Sequence, residues 1–236
     1  MPVRIQTRLS THQIKILSAL VGLRWSDFEE DATLKENCTL WRQCGEIVRQ
    51  IHATTGESFG YPYPGRSFNK WSEVVLDRLS KIHASMQTYR LDATVFSSII
   101  DKVRFNTSLL DEIQTPHLLH GDLWTFNLLV ERGAHAPVIT GVLDFDRAWW
   151  GDPSADWIMF LLAIRQDDPQ FQKQSSAFYA GYGSTIRGES ERFRQLVYKG
   201  MHTGLMYVWG EKHDNQEDLK RAHKELVEIR DQIMAH

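Results

Sequence analysis

The sequence is poor in cysteine. Only two cysteines occur in 236 residues, and Cys38 and Cys44 lie six positions apart on a predicted helix that points them to different faces. We therefore expect no disulfide between them, and a reducing cytoplasm is the favoured setting. The cysteines and the ten histidines show no C-x-x-C or H-E-x-x-H spacing, which disfavours a zinc site.

Long apolar runs and runs of basic charge are also missing. No segment approaches the roughly 18 uninterrupted apolar residues of a membrane-spanning helix. The first fifteen residues lack the apolar stretch of a signal peptide. The net charge is −3 and no basic stripe is present. We therefore expect a cytoplasmic protein with neither a membrane nor a nucleic-acid partner.

Helical periodicity is the strongest pattern that the sequence does contain. Thr33 and Glu36 form a capping box ahead of apolar residues at helical spacing. Two more amphipathic helices are predicted around residues 71–86 and 95–103. Beyond residue 153 the pattern predicts four further helices, at roughly 154–165, 170–180, 190–209 and 216–234.

Two short apolar runs in the middle of the chain predict a β-hairpin. They cover residues 127–130 and 138–145, and the segment ERGAHAP lies between them. The fold class that we expect is α+β and mostly helical, with this small hairpin carrying the polar residues of interest.

Three polar residues should meet at the open end of the hairpin. Asn127 opens its first strand, Asp144 closes its second, and a loop with Asp122 leads into it. A carboxylate and an amide oxygen side by side suit Mg²⁺, which completes its shell with phosphates and water. A further carboxylate that is not committed to the metal could orient and deprotonate an attacking hydroxyl.

The same residues resemble motifs of a known family. HGDLWTFN, residues 120–127, resembles the kinase catalytic loop H-R-D-x-x-x-x-N, with glycine in place of arginine. VLDFD at 142–146 and GDPSAD at 151–156 resemble the later motifs of the aminoglycoside phosphotransferase and choline kinase branch of the protein-kinase-like fold. GEIVRQIHATTGESFGYP resembles that family's helix and loop after the hinge. The resemblance covers residues ~20–210 and rests on motifs in the right order.

The resemblance implies a reaction and a role for each residue. The reaction is transfer of a γ-phosphoryl group from ATP or GTP to a hydroxyl of a small molecule, such as an aminoglycoside-like compound, a sugar or an amino alcohol. Asp122 would be the catalytic base, with His120 bracing its loop. Asn127 and Asp144 would bind Mg²⁺ and through it the nucleotide, and Asp146 is a weaker second metal contact.

Two acidic residues after the hairpin have a second interpretation. Asp156 would hold the catalytic-loop backbone by the resemblance, but a carboxylate at the start of a helix is also favoured by the helix dipole. Asp152 precedes Pro153, and we interpret it as a turn or N-cap residue rather than a ligand.

A nucleotide-covering lobe is not evident in the sequence. No Gly-rich loop precedes His120, and GSTIRG at 183–188 has Glu189 where a P-loop requires lysine. We expect residues 1–25 to be a hinge or a remnant of an amino-terminal lobe. Residues 26–236 would be the carboxy-terminal, catalytic and acceptor-binding lobe of a kinase-like enzyme. Such a chain is expected to be weakly active or inactive by itself, and its exposed lobe interface could be covered by homo-oligomerisation.

Two other functions compete with this interpretation. A kinase-like lobe without catalysis could serve as a binding or interaction module, although that role has no need for all three polar residues. GESFG at 56–60 matches the G-x-S-x-G of serine hydrolases, but it follows a helix rather than a buried strand.

The acceptor is left open by the sequence. Trp149 and Trp150 could line an acceptor cleft or pack in the core. The acidic run around Glu211 and Asp218 could attract a cationic acceptor or form a solvated helix end.

Overall fold

The computed structural model describes residues 4–5, 21–62, 66–156, 169–183 and 188–236. The helices in these ranges are α1 (Trp25–Glu29), α2 (Leu34–His52), α3 (Trp71–Thr88), α4 (Thr94–Phe105), α5 (Thr107–Leu110), α6 (Pro169–Tyr182), α7 (Glu189–Lys212) and α8 (Gln216–Met234). The strands are β1 (Arg4–Ile5), β2 (Leu23–Arg24), β3 (Phe59–Gly60), β4 (Ser67–Phe68), β5 (His117–Leu119), β6 (Leu128–Arg132), β7 (Pro137–Val142) and β8 (Trp149–Gly151). The expected fold class, α+β and mostly helical, is confirmed.

The chain divides into two compact units. The first combines residues 1–56 with 117–185, and the second combines 57–116 with 186–236. The polar residues of the hairpin all fall in the first unit. Within the described ranges, every helix is too short or too polar to cross a membrane.

The first unit is built on a small sheet with the strand order β1-β7-β6-β2. Strand β1 pairs in parallel with β7, whereas β6 and β7 form the predicted antiparallel hairpin, with Leu128 opposite Val142. Helix α2 begins with the predicted capping box, in which the Thr33 hydroxyl accepts from the Glu36 amide and the Glu36 carboxylate accepts from the Thr33 amide. Both cysteines are free thiols, as expected.

Helices α2 and α6 of the first unit pack unusually closely, because glycine stands at the contact on both sides. A Cβ atom on Gly45 would clash with the Phe178 backbone, and one on Gly181 would clash with the Arg42 carbonyl. The apolar side of α2 packs against the β6–β7 hairpin, and its residues Trp41, Cys44 and Val48 are fully buried there. This packing places the carboxyl end of α2 beneath the loop that carries Asp122.

The second unit is a helical group of α3, α4, α5, α7 and α8, together with the short β3–β4 hairpin. Its core includes Trp71, whose indole N–H donates to the Tyr198 hydroxyl at 2.6 Å. Asn215 is the N-cap of helix α8, and its side chain accepts from the Asp218 amide. The helices predicted at 170–180, 190–209 and 216–234 are therefore confirmed as α6, α7 and α8.

The structure corrects two details of the predicted elements. Asn127 does not open the first strand but ends a 3₁₀ turn, Thr125–Asn127, because its amide donates to the Trp124 carbonyl at 2.9 Å. Asp144 does not close the second strand, which ends at Val142. Of the helix predicted at 154–165, the described part contains only a 3₁₀ turn, Pro153–Ala155, and residues 157–165 lie outside the described ranges.

Candidate functional site

The hairpin brings the predicted residues to one end of the first unit. Past the last strand pair, the Leu143 amide donates to the Asn127 carbonyl at 2.8 Å, so the turn of Asn127 and the residue before Asp144 are in direct contact. Asn127 in turn donates from Nδ2 to the Asp122 carbonyl at 2.7 Å. The arrangement of Asp122, Asn127 and Asp144 around the hairpin end is therefore as the sequence predicts.

His120 connects the loop to the second strand of the hairpin. Its ring is fully buried, with Nε2 donating to the Leu143 carbonyl at 2.7 Å and Nδ1 accepting from the Asp122 amide at 3.3 Å. A single neutral tautomer satisfies both bonds. The ring of His120 thus connects the backbone of Asp122 to the backbone of Leu143, the residue before Asp144.

Gly121 explains why this loop departs from the H-R-D pattern. Its φ is +80°, a left-handed conformation that suits glycine, and a Cβ atom there would clash with the Arg147 carbonyl. Any side chain at this position would push the loop away from residues 145–147.

Asp156 holds the loop from its buried side. Its Oδ2 accepts from the His120 amide at 2.7 Å and its Oδ1 accepts from the Gly121 amide at 2.8 Å. These bonds favour the bracing role of Asp156 over a helix-start role. Asp152 instead accepts from the Ser154 amide at 3.0 Å, which is the turn role expected for it.

No sequence pattern pointed to the residues that bond Asp156 from the buried side. His52, the last residue of α2, donates from Nε2 to Asp156 Oδ2 at 3.1 Å, and its Nδ1 lies 3.0 Å from the Tyr182 hydroxyl of α6. His52 and Asp156 are both buried. Burial by itself would raise the pKa of Asp156, but the hydrogen bond from His52 and those from the loop lower it below its ordinary value. Asp156 is therefore an ionised, fully bonded anchor.

The outward side of the loop presents a different group of carboxylates. Asp144 has φ +65°, a left-handed conformation that is rare for a residue with a side chain. A hydrogen bond with Asp146 raises the pKa of Asp144, and partial burial and the charges of Asp146 and Asp122 add to this rise. Asp146 and Asp122 therefore both repel a negative charge on Asp144.

Arg147 is a second residue that the sequence did not single out. Its guanidinium Nη1 lies 3.4 Å from Asp122 Oδ1, and its side chain is otherwise largely exposed. It is the cation next to Asp122, and it also partly offsets the repulsion at Asp144. The sequence does show a basic residue three positions after Asp144, but it could not show that the Arg147 side chain turns toward Asp122.

The donors at this end of the hairpin fit a hard divalent cation better than a transition metal. Because Asn127 Nδ2 is used by the Asp122 carbonyl, its Oδ1 is the atom that can act as a ligand. Asp144 adds a carboxylate, and crowding by Asp146 favours a cation there. No group of three histidine, cysteine or acidic residues with metal-binding geometry occurs among the described residues. Such an ion would need further oxygen ligands from substrate or water.

Other predicted features lie elsewhere. Trp149 is buried in β8, as core packing requires, while Trp150 is half-buried against Gly56. The Ser58 segment follows helix α2 rather than a strand, so the context of a hydrolase elbow is absent from this part of the described chain. Asp218 is engaged by Asn215 and Arg221 at the start of α8, which favours the solvated helix end.

Comparison with known proteins agrees with this geometry. The sequence model of the Phosphotransferase enzyme family (APH) matches residues 7–192. No curated protein sequence matches the chain. Many solved structures share the fold at low identity, and the chain spans 68–70% of the length of the three described next.

The first is a thermostable mutant of aminoglycoside phosphotransferase APH(4)-Ia in its apo form, with TM-score 0.64 and 19% identity over 91% of this chain and 70% of that one. The second is a ternary complex of such a mutant with AMP-PNP and hygromycin B, with TM-score 0.63 and 18% identity over 90% and 69%. The third is a streptomycin–ATP–APH(2″)-IIa ternary complex, with TM-score 0.56 and 16% identity over 90% and 68%. The family match covers most of the chain, and the chain therefore belongs to the phosphotransferase enzyme family.

Proposed function

We propose that this phosphotransferase moves the γ-phosphoryl group of ATP or GTP to a hydroxyl of a small molecule. The observation that carries the proposal is the meeting of Asp122, Asn127 and Asp144 at the end of the β6–β7 hairpin. The ternary complexes of similar fold, which contain AMP-PNP with hygromycin B or ATP with streptomycin, support a nucleotide donor and an aminoglycoside-like acceptor. A sugar and an amino alcohol are the other acceptors that the sequence motifs leave open. The assignment of residues 26–236 to the catalytic and acceptor-binding lobe is part of this proposal.

Asp122 is the base in this proposal. Its carboxylate is held by Arg147 on one oxygen, and Asn127 Nδ2 lies 3.5 Å from the other. A hydroxyl that hydrogen-bonds to this carboxylate is oriented for attack on the γ-phosphorus, and its proton passes to Asp122 as the bond to the leaving nucleoside diphosphate breaks.

Asn127 and Asp144 are the residues that would hold Mg²⁺, with Asp146 as an additional contact. When bound, Mg²⁺ would neutralise charge on the phosphates of the donor. The raised pKa of Asp144 fits this role, because a carboxylate pair that repels itself has most to gain from a cation.

The test is calorimetric titration with Mg·ATP and Mg·GTP. We expect the wild-type chain and Asp122→Asn to bind one or both nucleotides, and Asp144→Ala to lose that binding while its thermal unfolding stays cooperative. With a competent acceptor, Asp122→Asn should lower kcat by about 10²–10⁴-fold. Nucleotide binding that survives in Asp144→Ala would contradict the metal assignment, and unchanged turnover in Asp122→Asn would contradict the base. Absence of nucleotide binding by the wild-type chain would instead favour a non-catalytic binding module.

A further inference from the structure

Two large aromatic side chains stand exposed between the candidate base and the candidate metal ligand. Trp124 is 37% exposed and Phe126 is 42% exposed, whereas Leu123 and Leu128 on either side of them are completely buried. The two rings lie against each other, with their centroids 4.6 Å apart and their planes tilted by 42°. Isolated apolar residues are common on protein surfaces, but a contiguous aromatic pair beside a reactive group calls for a ligand.

The hydrogen bonds that close the loop do not involve these rings. The loop is closed by backbone and polar contacts: the Asn127 amide donates to the Trp124 carbonyl, and Asn127 Nδ2 donates to the Asp122 carbonyl. Leu123 supplies the buried apolar anchor. Among the described residues, the aromatic ring that Trp124 contacts is that of Phe126, and the reverse is also true. Trp124 and Phe126 each leave about two fifths of their surface open to a ligand.

The position of the pair limits what that something can be. A hydroxyl that gives its proton to Asp122 must come within about 3 Å of its carboxylate. Trp124 is only two residues away, so its Cα lies within roughly 7.6 Å of the Asp122 Cα. Phe126 adjoins Asn127 on the other side of the same turn. We therefore expect an acceptor of more than a few atoms at Asp122 to reach the Trp124–Phe126 pair.

We propose that Trp124 and Phe126 form a stacking platform for a ring of the acceptor, and that the acceptor is accordingly a cyclic alcohol. A sugar ring or an aromatic ring has a broad face that can pack against the exposed surface of these two side chains, whereas an open-chain amino alcohol would cover little of it. This inference rests on the proposed function for the identity of the bound hydroxyl compound, but the platform itself is a binding surface that can be tested without turnover.

The experiment measures binding by tryptophan emission and calorimetry in wild type, Trp124→Ala, Trp124→Phe and Phe126→Ala. Cyclic probes are hygromycin B, streptomycin and methyl α-glucopyranoside for sugars, and benzyl alcohol for aromatic rings. Choline and ethanolamine are the open-chain alcohols, and spermine controls for positive charge alone. Phe105→Ala is the matched control variant, because Phe105 is 89% exposed and lies in the second unit.

We expect at least one cyclic probe to lose affinity by about tenfold in Trp124→Ala and by less in Phe126→Ala. Trp124→Phe should restore most of that affinity, Phe105→Ala should match wild type, and the open-chain compounds should not distinguish the variants. The chemical type of the probe that responds separates a sugar from an aromatic acceptor.

Three results would overturn the platform. One is cyclic probes that bind wild type and Trp124→Ala equally or do not bind at all, and another is an equal loss for open-chain compounds. The third is a marked fall in the Tm of Trp124→Ala, which would mean that the ring packs against the chain. Binding of Mg·ATP or Mg·GTP is measured in the same variants and should be unchanged. A chain that binds nucleotide but no ring refutes the platform alone, and one that binds a ring but no nucleotide refutes the proposed function alone.

Discussion

The loop His120–Asn127 has acidic groups on two sides, and the two sets behave oppositely. On the buried side, Asp156 accepts hydrogen bonds from two loop amides and from His52, and its pKa is lowered. On the outward side, Asp144 faces Asp146 and Asp122, and its pKa is raised. An aspartate thus has hydrogen-bond donors on both oxygens in one place, and it faces other negative charges in the other place.

This difference distinguishes a carboxylate that supports the loop from carboxylates that can bind a ligand. A buried carboxylate that is bonded on both oxygens fixes the backbone that it touches, and burial keeps it out of reach of a ligand. Carboxylates that repel one another at the surface are costly in the free protein and become favourable only when a cation arrives. We expect variants on the two sides to move stability in opposite directions.

The largest effect should follow from Asp156→Ala. The change removes the acceptor from His52 and from the amides of His120 and Gly121, all of them inside the protein, so the free energy of unfolding should fall by about 3–5 kcal/mol. Because the folded-state pKa of Asp156 lies below its unfolded value, this contribution is present above about pH 4 and is lost as the pH falls toward the folded pKa. Urea unfolding of wild type and variant at neutral and acid pH measures it.

Asp152→Ala is the matched control for that measurement. Asp152 is equally buried and also bonds a backbone amide, but it serves a turn rather than the loop. Its loss should be smaller than that of Asp156→Ala, and comparable losses would mean that any buried carboxylate here is equally important. In that case the anchor would have no special position.

The outward side was largely visible in the sequence, and the reason is local. Asp122 and Asn127 share one short loop, and a hairpin register follows from apolar runs that are separated by a turn. These short-range patterns were enough to bring both residues to Asp144. They could not give the left-handed φ of Asp144 or the 3₁₀ turn at Asn127, because single-residue backbone states depend on what surrounds them.

The buried side was only half visible. The resemblance suggested Asp156, but His52 lies 104 positions away from it and Tyr182 lies 130 positions from His52. A histidine that ends an amphipathic helix has no periodic or motif signal that would reveal its partner. The close α2–α6 packing at Gly45 and Gly181 brings these side chains together, and only the three-dimensional structure shows it.

Substitution of His52 should have an intermediate effect on stability, and it tests whether His52 supports the loop or only fills space in the core. His52→Ala removes the donor to Asp156 Oδ2 and should lower the free energy of unfolding by about 2–3 kcal/mol, since the lost bond is buried and made to a charged group. His52→Gln keeps an N–H donor of similar reach and should recover part of that loss. The direct readout is amide hydrogen exchange at His120 and Gly121, the two N–H groups that Asp156 accepts.

Exchange at these two amides should be faster in His52→Ala than in wild type and intermediate in His52→Gln. Tyr182→Phe serves as the control that alters the far nitrogen of His52 and leaves the donor to Asp156 in place. If exchange at His120 and Gly121 were unchanged in His52→Ala while global stability fell, His52 would support the core and not the loop.

The smallest effect, and the one of opposite sign, should come from Asp144→Asn. A carboxyl group whose folded-state pKa is raised adds stability below its unfolded pKa and loses that contribution as the pH rises through the folded value. At neutral pH without divalent cations the wild-type chain therefore carries the repulsion, and Asp144→Asn should raise the Tm by about 1–2 °C. The gain should vanish near pH 3, where the wild-type carboxyl is protonated.

Asp101→Asn, in an exposed Arg104 pair on α4, should not raise the Tm. A neutral-pH Tm that falls in Asp144→Asn would show that Asp144 already has a stabilising partner, and the contrast with Asp156 would then be one of burial alone.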